Sequence, residues 1–139
     1  MMVLSLSSFA ATPPKEIQKA FAQRFPNATH VKWDKENAQA TSNTGSTTEY
    51  EASFEWKGAK YSANFNEAGE WLETESPIAF NQLPENVQKA FNGLHKGATV
   101  KAVAKIDTSK GATQYEVEYK HGMKTVEQFY AADGTEIKK

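Results

Sequence analysis

The chain of 139 residues has no cysteine, which excludes disulfides, thiol catalysis and a lipid-modified N-terminal cysteine. It has no excess of either charge: 16 basic residues stand against 17 acidic ones, a formal net charge of -1. Such a balance gives no electrostatic case for a nucleic-acid partner or an anionic membrane surface. No apolar run approaches the ~20 residues of a membrane span, so none is expected. The chain also lacks a Gly-x-Ser-x-Gly elbow and a glycine-rich phosphate cradle, because Gly58, Gly69, Gly122 and Gly134 each fall in a turn pattern. The three histidines, His30, His95 and His121, lie in different elements, and no two have the i, i+4 spacing of ligands on one helix face. A catalytic centre, a cofactor and a metal site are therefore not expected.

The hydrophobic fraction of 39%, with 12% aromatic, suffices for one cooperative core in a chain this long. The start, "MMVLSLSSFAAT", is apolar or small and uncharged, and Ser8-Phe9-Ala10 has the small-x-small pattern of a signal-peptidase site. Residues 1–12 read as the remnant of an export signal or as an N-terminal arm, and the expected location is periplasmic or secreted.

"PKEIQKAF" at residues 14–21 returns as "PENVQKAF" at residues 84–91. Ile17, Ala20, Phe21 and Phe25 have the periodicity of a helix with one buried face, and Val87, Ala90, Phe91 and Leu94 read as its second copy. Each proline suits a helix's first turn, and Glu16 and Glu85 complement the positive end of the dipole. From Thr48 the period drops to two: Tyr50, Ala52, Phe54 and Trp56 alternate with Glu49, Glu51, Ser53 and Glu55, and Tyr61, Ala63 and Phe65 follow after Lys57-Gly58. Tyr115, Val117 and Tyr119, then the stretch from Met123 to Tyr130, repeat the order, with Phe65 aligned to Phe129, Gly69 to Gly134 and Leu72 to Ile137. His30 to Asp34 and Thr99 to Asp107 supply the first strand of each set. The "NAQATSNTGST" segment, residues 37–47, reads as a mobile loop.

The fold class predicted is α+β: a tandem repeat of a helix plus a four-stranded antiparallel meander, with both helices packed on one face of a continuous antiparallel sheet. Residues 13–139 form a single domain of two repeats, 13–75 and 83–139, joined by a connector in which Ile78 and Phe80 pack.

Through "FPNATHVKW", "YEASFEWKGAKYSANFNEAGEWLETE", "LPENVQKAF" and "YEVEYKHGMK…YAADGTEI", the chain resembles the exported beta-lactamase-inhibitor-like, PepSY-like domain proteins of Bacteroidetes. The resemblance implies the tandem fold just described and brings no catalytic residues. It implies, for function, an open sheet face used as a docking surface. The true beta-lactamase inhibitors carry cysteines that this chain lacks, so inhibition of a beta-lactamase does not transfer.

The candidate site follows from alternation. If Leu72 faces the core, Trp71 faces away, and Tyr130 beside a core-facing Phe129 does the same, with Val126. These three, near Glu51, Lys60, Asn64, Glu118 and Lys120, have the aromatic and charged mixture of a protein-binding patch. The expected function is a non-enzymatic exported module that docks a protein or peptide on this face. Two alternatives stay open. One is a small-ligand or cation sensor using Glu49 and Glu51 or Glu116 and Glu118, which otherwise form a solvated strand face. The other is an inhibitor of a secreted peptidase.

Overall fold

The computed structural model describes residues 5–39 and 46–138, with side chains described for 10–36 and 48–138. It is α+β, with two α-helices and antiparallel strands. Two compact units divide it, residues 1–74 and 75–139.

In the first unit, β1 (Ser5–Ala10), β2 (Thr29–Gln39), β3 (Ser46–Trp56), β4 (Ala59–Asn66) and the start of β5 (Trp71–Pro77) are neighbours in chain order. Helix α1 (Lys15–Arg24) begins at Pro14, whose carbonyl accepts from the N–H groups of Ile17 and Gln18 at 3.1 and 3.2 Å. Its buried face carries Ile17 and Phe21, and Phe25 just past its end is buried with them. The strand residues they meet are those that alternation selects: Tyr50, Ala52 and Phe54 from β3, and Ala63 and Phe65 from β4. Edge-to-face rings fill this core, with Phe21 and Phe54 centroids 4.9 Å apart and Phe25 and Trp56 5.1 Å apart.

In the second unit, β6 (Thr99–Thr108), β7 (Thr113–His121), β8 (Lys124–Ala131) and β9 (Glu136–Ile137) are again consecutive neighbours. Helix α2 (Glu85–Leu94) starts at Pro84 in the same manner and buries Val87 and Phe91. Its core comprises Leu83, Val87, Phe91, Val103, Val117, Tyr119 and Tyr130. Ile78 and Phe80 of the connector pack against it, as expected, and the Ile78 N–H donates to the Val103 carbonyl at 3.0 Å.

Three expectations change. Residues 37–39 and 46–47, read as loop, are strand: β2 and β3 extend one long hairpin to the pair Gln39 and Ser46, because main-chain pairing needs no hydrophobic alternation. Residues 40–45 of that segment lie outside the described residues. The first residues are also partly strand, β1 pairing antiparallel with β2, for example Ala10 with Asp34. Finally, Leu94 does not cap the buried face of α2; it is 71% exposed. His95 takes that place, its ring centroid 5.1 Å from Phe91 and 4.5 Å from Tyr119.

Candidate functional site

Strand alternation separates in each unit a helix-covered face from an opposite one, which carries charged and polar rungs in the first unit and, in the second, Glu116 beside buried Ala104, Ile106 and Phe129; the site residues expected from sequence fall on both. Tyr130 is 1% exposed and sits in the core under α2, not on the polar face. The reason is register. Phe65 pairs with Tyr50 in the first unit and Tyr130 pairs with Tyr115 in the second, so Phe65 corresponds to Tyr130. Aligning Phe65 with Phe129 was one residue off, and a slip of one reverses every side chain. Val126 likewise packs against the second core.

Trp71 is half-buried against the first core, on the side that α1 covers. Its Nε1 donates to Thr74 Oγ1 at 2.8 Å, and the Arg24 guanidinium lies 3.4 Å from its ring centroid. The aromatic centre of the expected patch is thus spent on packing.

The five polar candidates lie with the polar residues of their strands. In the first unit, cross-strand register builds three rungs: Lys32, Ser53 and Ser62; Asp34, Glu51 and Asn64; Glu36, Glu49 and Asn66. Lys60 stands opposite Glu55 at the hairpin end and is exposed. Asn64 is only 3% exposed, and its Nδ2 donates to Glu49 Oε1 at 3.3 Å, tying two rungs together. Burial raises the Glu36 carboxyl above its ordinary 4.5, and the neighbouring charges of Glu49 and Asp34 raise it further. Beside the rungs lies a hollow of about 330 Å³ whose polar lining includes His30, Lys32, Ser53, Glu55 and Lys60. His30 is at φ +53° where the β2–β3 register shifts, and its Nδ1 is 3.0 Å from Glu55 Oε2.

In the second unit, Glu116, Glu118 and Lys120 share one face of β7, and Glu127 of β8 pairs with Glu118. Lys120 is exposed at the far end. Glu116, Glu118 and Glu127 each place a carboxylate oxygen within 4.8 Å of the others. Glu116 is 5% exposed, and burial raises its carboxyl above the usual range, with the hydrogen bond that its protonated form donates to Glu127 adding to the effect. Sequence spacing brought out Glu116 and Glu118; Glu127 needed the hairpin register. Among the described residues no helix is long and apolar enough to cross a membrane.

Solved structures share this fold. A DUF2874 family protein from Bacteroides ovatus has 23% identity and a TM-score of 0.71, with 92% of this chain and 86% of that one covered. A BLIP-like protein from Bacteroides fragilis has 24% identity and a TM-score of 0.68, covering 92% and 85%. A protein from Bacteroides eggerthii, described as a putative periplasmic protein, has 16% identity and a TM-score of 0.75, covering 92% and 88%. No curated protein matches the sequence. The family model that matches residues 47–137 is described as "Putative beta-lactamase-inhibitor-like, PepSY-like", and the chain belongs to that family.

Proposed function

We propose that this protein is a non-enzymatic exported module, one helix-and-meander unit used twice, that docks a protein partner on the polar strand faces of its units. The observation that carries this reading is the alignment of Asp34, Glu51 and Asn64 with Glu36, Glu49 and Asn66 in adjacent rungs. Strand alternation sets these side chains opposite the packed core, on a rigid support. A partner with a basic surface complements them. Kinship with a BLIP-like protein and with one described as periplasmic supports docking and export. Glu51, Lys60, Glu118 and Lys120 remain its candidate contacts, while Asn64, Trp71, Tyr130 and Val126 support the fold.

The test is E51K in the full chain, which leaves the hydrogen bond from Asn64 to Glu49 in place. Capture of a periplasmic partner should fall at least roughly tenfold while the melting temperature stays within a few degrees, because the change is confined to the polar face. Undiminished capture sinks the reading. A second reading, a cation carrier, is favoured by the convergence of Glu116, Glu118 and Glu127. Titration calorimetry with Ca²⁺ and Zn²⁺ decides it: no heat and no gain in melting temperature dispose of it.

A further inference from the structure

Charge in the second unit is separated along its strands. From Leu94 to Ile106, and again from Lys120 to Val126, the chain carries no aspartate or glutamate, whereas Lys96, Lys101, Lys120 and Lys124 fall in those stretches. The near-zero net charge of the whole chain conceals this local excess.

Register gathers the four lysines at one end. Thr99 opens β6 opposite Lys120, Lys120 in turn pairs with Thr125, and His121 closes the β7–β8 hairpin opposite Lys124. Lys101 occupies the register shift between Val100 and Ala102. Lys96 follows α2, where the His95 ring lies 4.5 Å from the Tyr119 ring, so the C-terminal end of the helix stands over this same end of the strands. All four lysines are exposed, and among the described residues none of them forms an ion pair. The carboxylates of Glu118 and Glu127 begin two residues further in, about 7 Å along the strands. The end is basic, though the face behind it is not.

Apolar side chains project from this end as well. Met123, in the hairpin turn, is 96% exposed, and Leu94, the last residue of α2, is 71% exposed. Of the three large apolar side chains exposed among the described residues, these are two. The turn itself does not call for methionine. The first unit's hairpin turns on Lys57 and Gly58 and the second unit's on Gly122 and Met123, so methionine stands where the matching turn has glycine.

Apolar tips ringed by lysines suit a lipid surface: the ammonium groups meet phosphate head groups while the apolar side chains enter the head-group boundary. An acidic protein also satisfies the lysines, but it needs a shaped pocket for a side chain that stands clear of the fold. A fluid surface needs none. We infer that this end of the second unit, with Lys96, Lys101, Lys120 and Lys124 around Met123 and Leu94, rests on a membrane surface bearing anionic phospholipid. The inference does not depend on the docking reading, whose carrying observation lies in the first unit.

The full chain is co-sedimented with vesicles of phosphatidylcholine alone, or of phosphatidylcholine and phosphatidylglycerol in about equal parts. Binding should require phosphatidylglycerol and fall as salt is raised. K120Q/K124Q should weaken it roughly tenfold or more, and M123S roughly fivefold or more, with melting temperatures unchanged because all three side chains are exposed. Because the chain has no cysteine, M123C accepts a single environment-sensitive dye. Its emission should shift to the blue on anionic vesicles, whereas dye on S109C, between β6 and β7 at the other end of the strands, should not respond. Equal binding to both kinds of vesicle overturns the inference, as does an S109C shift matching that of M123C. Binding undiminished by K120Q/K124Q also overturns it, and would move the contact elsewhere, the apolar residues 1–12 included. So does saturable binding of a polyglutamate peptide that K120Q/K124Q abolishes, without binding of anionic vesicles, which would assign this end to an acidic protein.

Discussion

Gly134 lies at φ +91°, and a Cβ built there would stand 2.6 Å from the main-chain carbonyl oxygen of Asn86 in the first turn of α2. The contact is with backbone, which cannot swing aside as a side chain would. Gly69 holds the corresponding place against α1 at φ +84°, but its nearest neighbour, the Glu16 carbonyl oxygen, is 3.7 Å away. G69A should therefore cost only the left-handed penalty, about 1–2 kcal/mol, while G134A should cost about 2–4 kcal/mol. Urea denaturation of the two variants checks the order, and equal losses would deny the close approach. At this scale the sequence was legible where a residue type has one physical use. Glycine in "NEAG" and "AADG" announces a turn, but nothing in the letters says how near a helix stands. The Tyr130 ring was harder to place, because tyrosine serves equally in a core or on a patch. Only its pairing with Tyr115 decides between them.

Each helix and its buried face were legible because period 3.6 against period two is a strong signal, and Pro14 and Pro84 mark both starts. What escaped was phase by a single residue. In α1 the last buried aromatic is Phe25, eight positions after Ile17; eight positions after Val87 comes His95, not Leu94. Leucine one position earlier fitted a helical stripe and drew the eye from a histidine packed as an aromatic. Two substitutions test this. L94K alters an exposed side chain and should change stability by no more than about 0.5 kcal/mol. H95A removes the ring between Phe91 and Tyr119 and should cost about 1–2 kcal/mol. Thermal melts showing the reverse order would restore Leu94 to the core. The same slip, made once in aligning Phe65 with Phe129, moved the aromatic centre of the expected patch to the wrong face. The polar members, Glu51, Lys60, Asn64, Glu118 and Lys120, share a face with the polar residues of their strands because their alternation was read within one strand each, though Asn64 is buried there.

Across the chain, the acidic clusters also bear on stability. Glu36 and Glu116 occupy the strand faces opposite the helices in different units, and burial holds both carboxyls above the ordinary glutamate value of 4.5. A carboxyl whose folded value is raised binds its proton more tightly when folded, so it contributes stability fully below about pH 4.5. That contribution is lost as pH rises through the folded value. Asp133 has the opposite sign: hydrogen bonds from Thr135 hold its carboxyl below 3.8. Its contribution is present above 3.8 and lost only as pH falls through its own lower value, beneath the window in question. The net charge of -1 adds no strong overall repulsion that would mask these local effects. The wild-type protein should thus lose stability as pH rises above the ordinary glutamate value and through the raised folded values of the two carboxyls, and the double variant E36Q/E116Q should show a flatter profile and greater stability once both are ionised. Glutamine keeps the volume and supplies a donor toward Glu127, so the substitution removes the buried charge without emptying the site. Urea midpoints measured at several pH values, with unchanged denaturant slope, read this directly. A wild-type profile parallel to that of the double variant would mean that the two carboxyls titrate as they do in the unfolded chain, and would remove the buried-charge account of both faces.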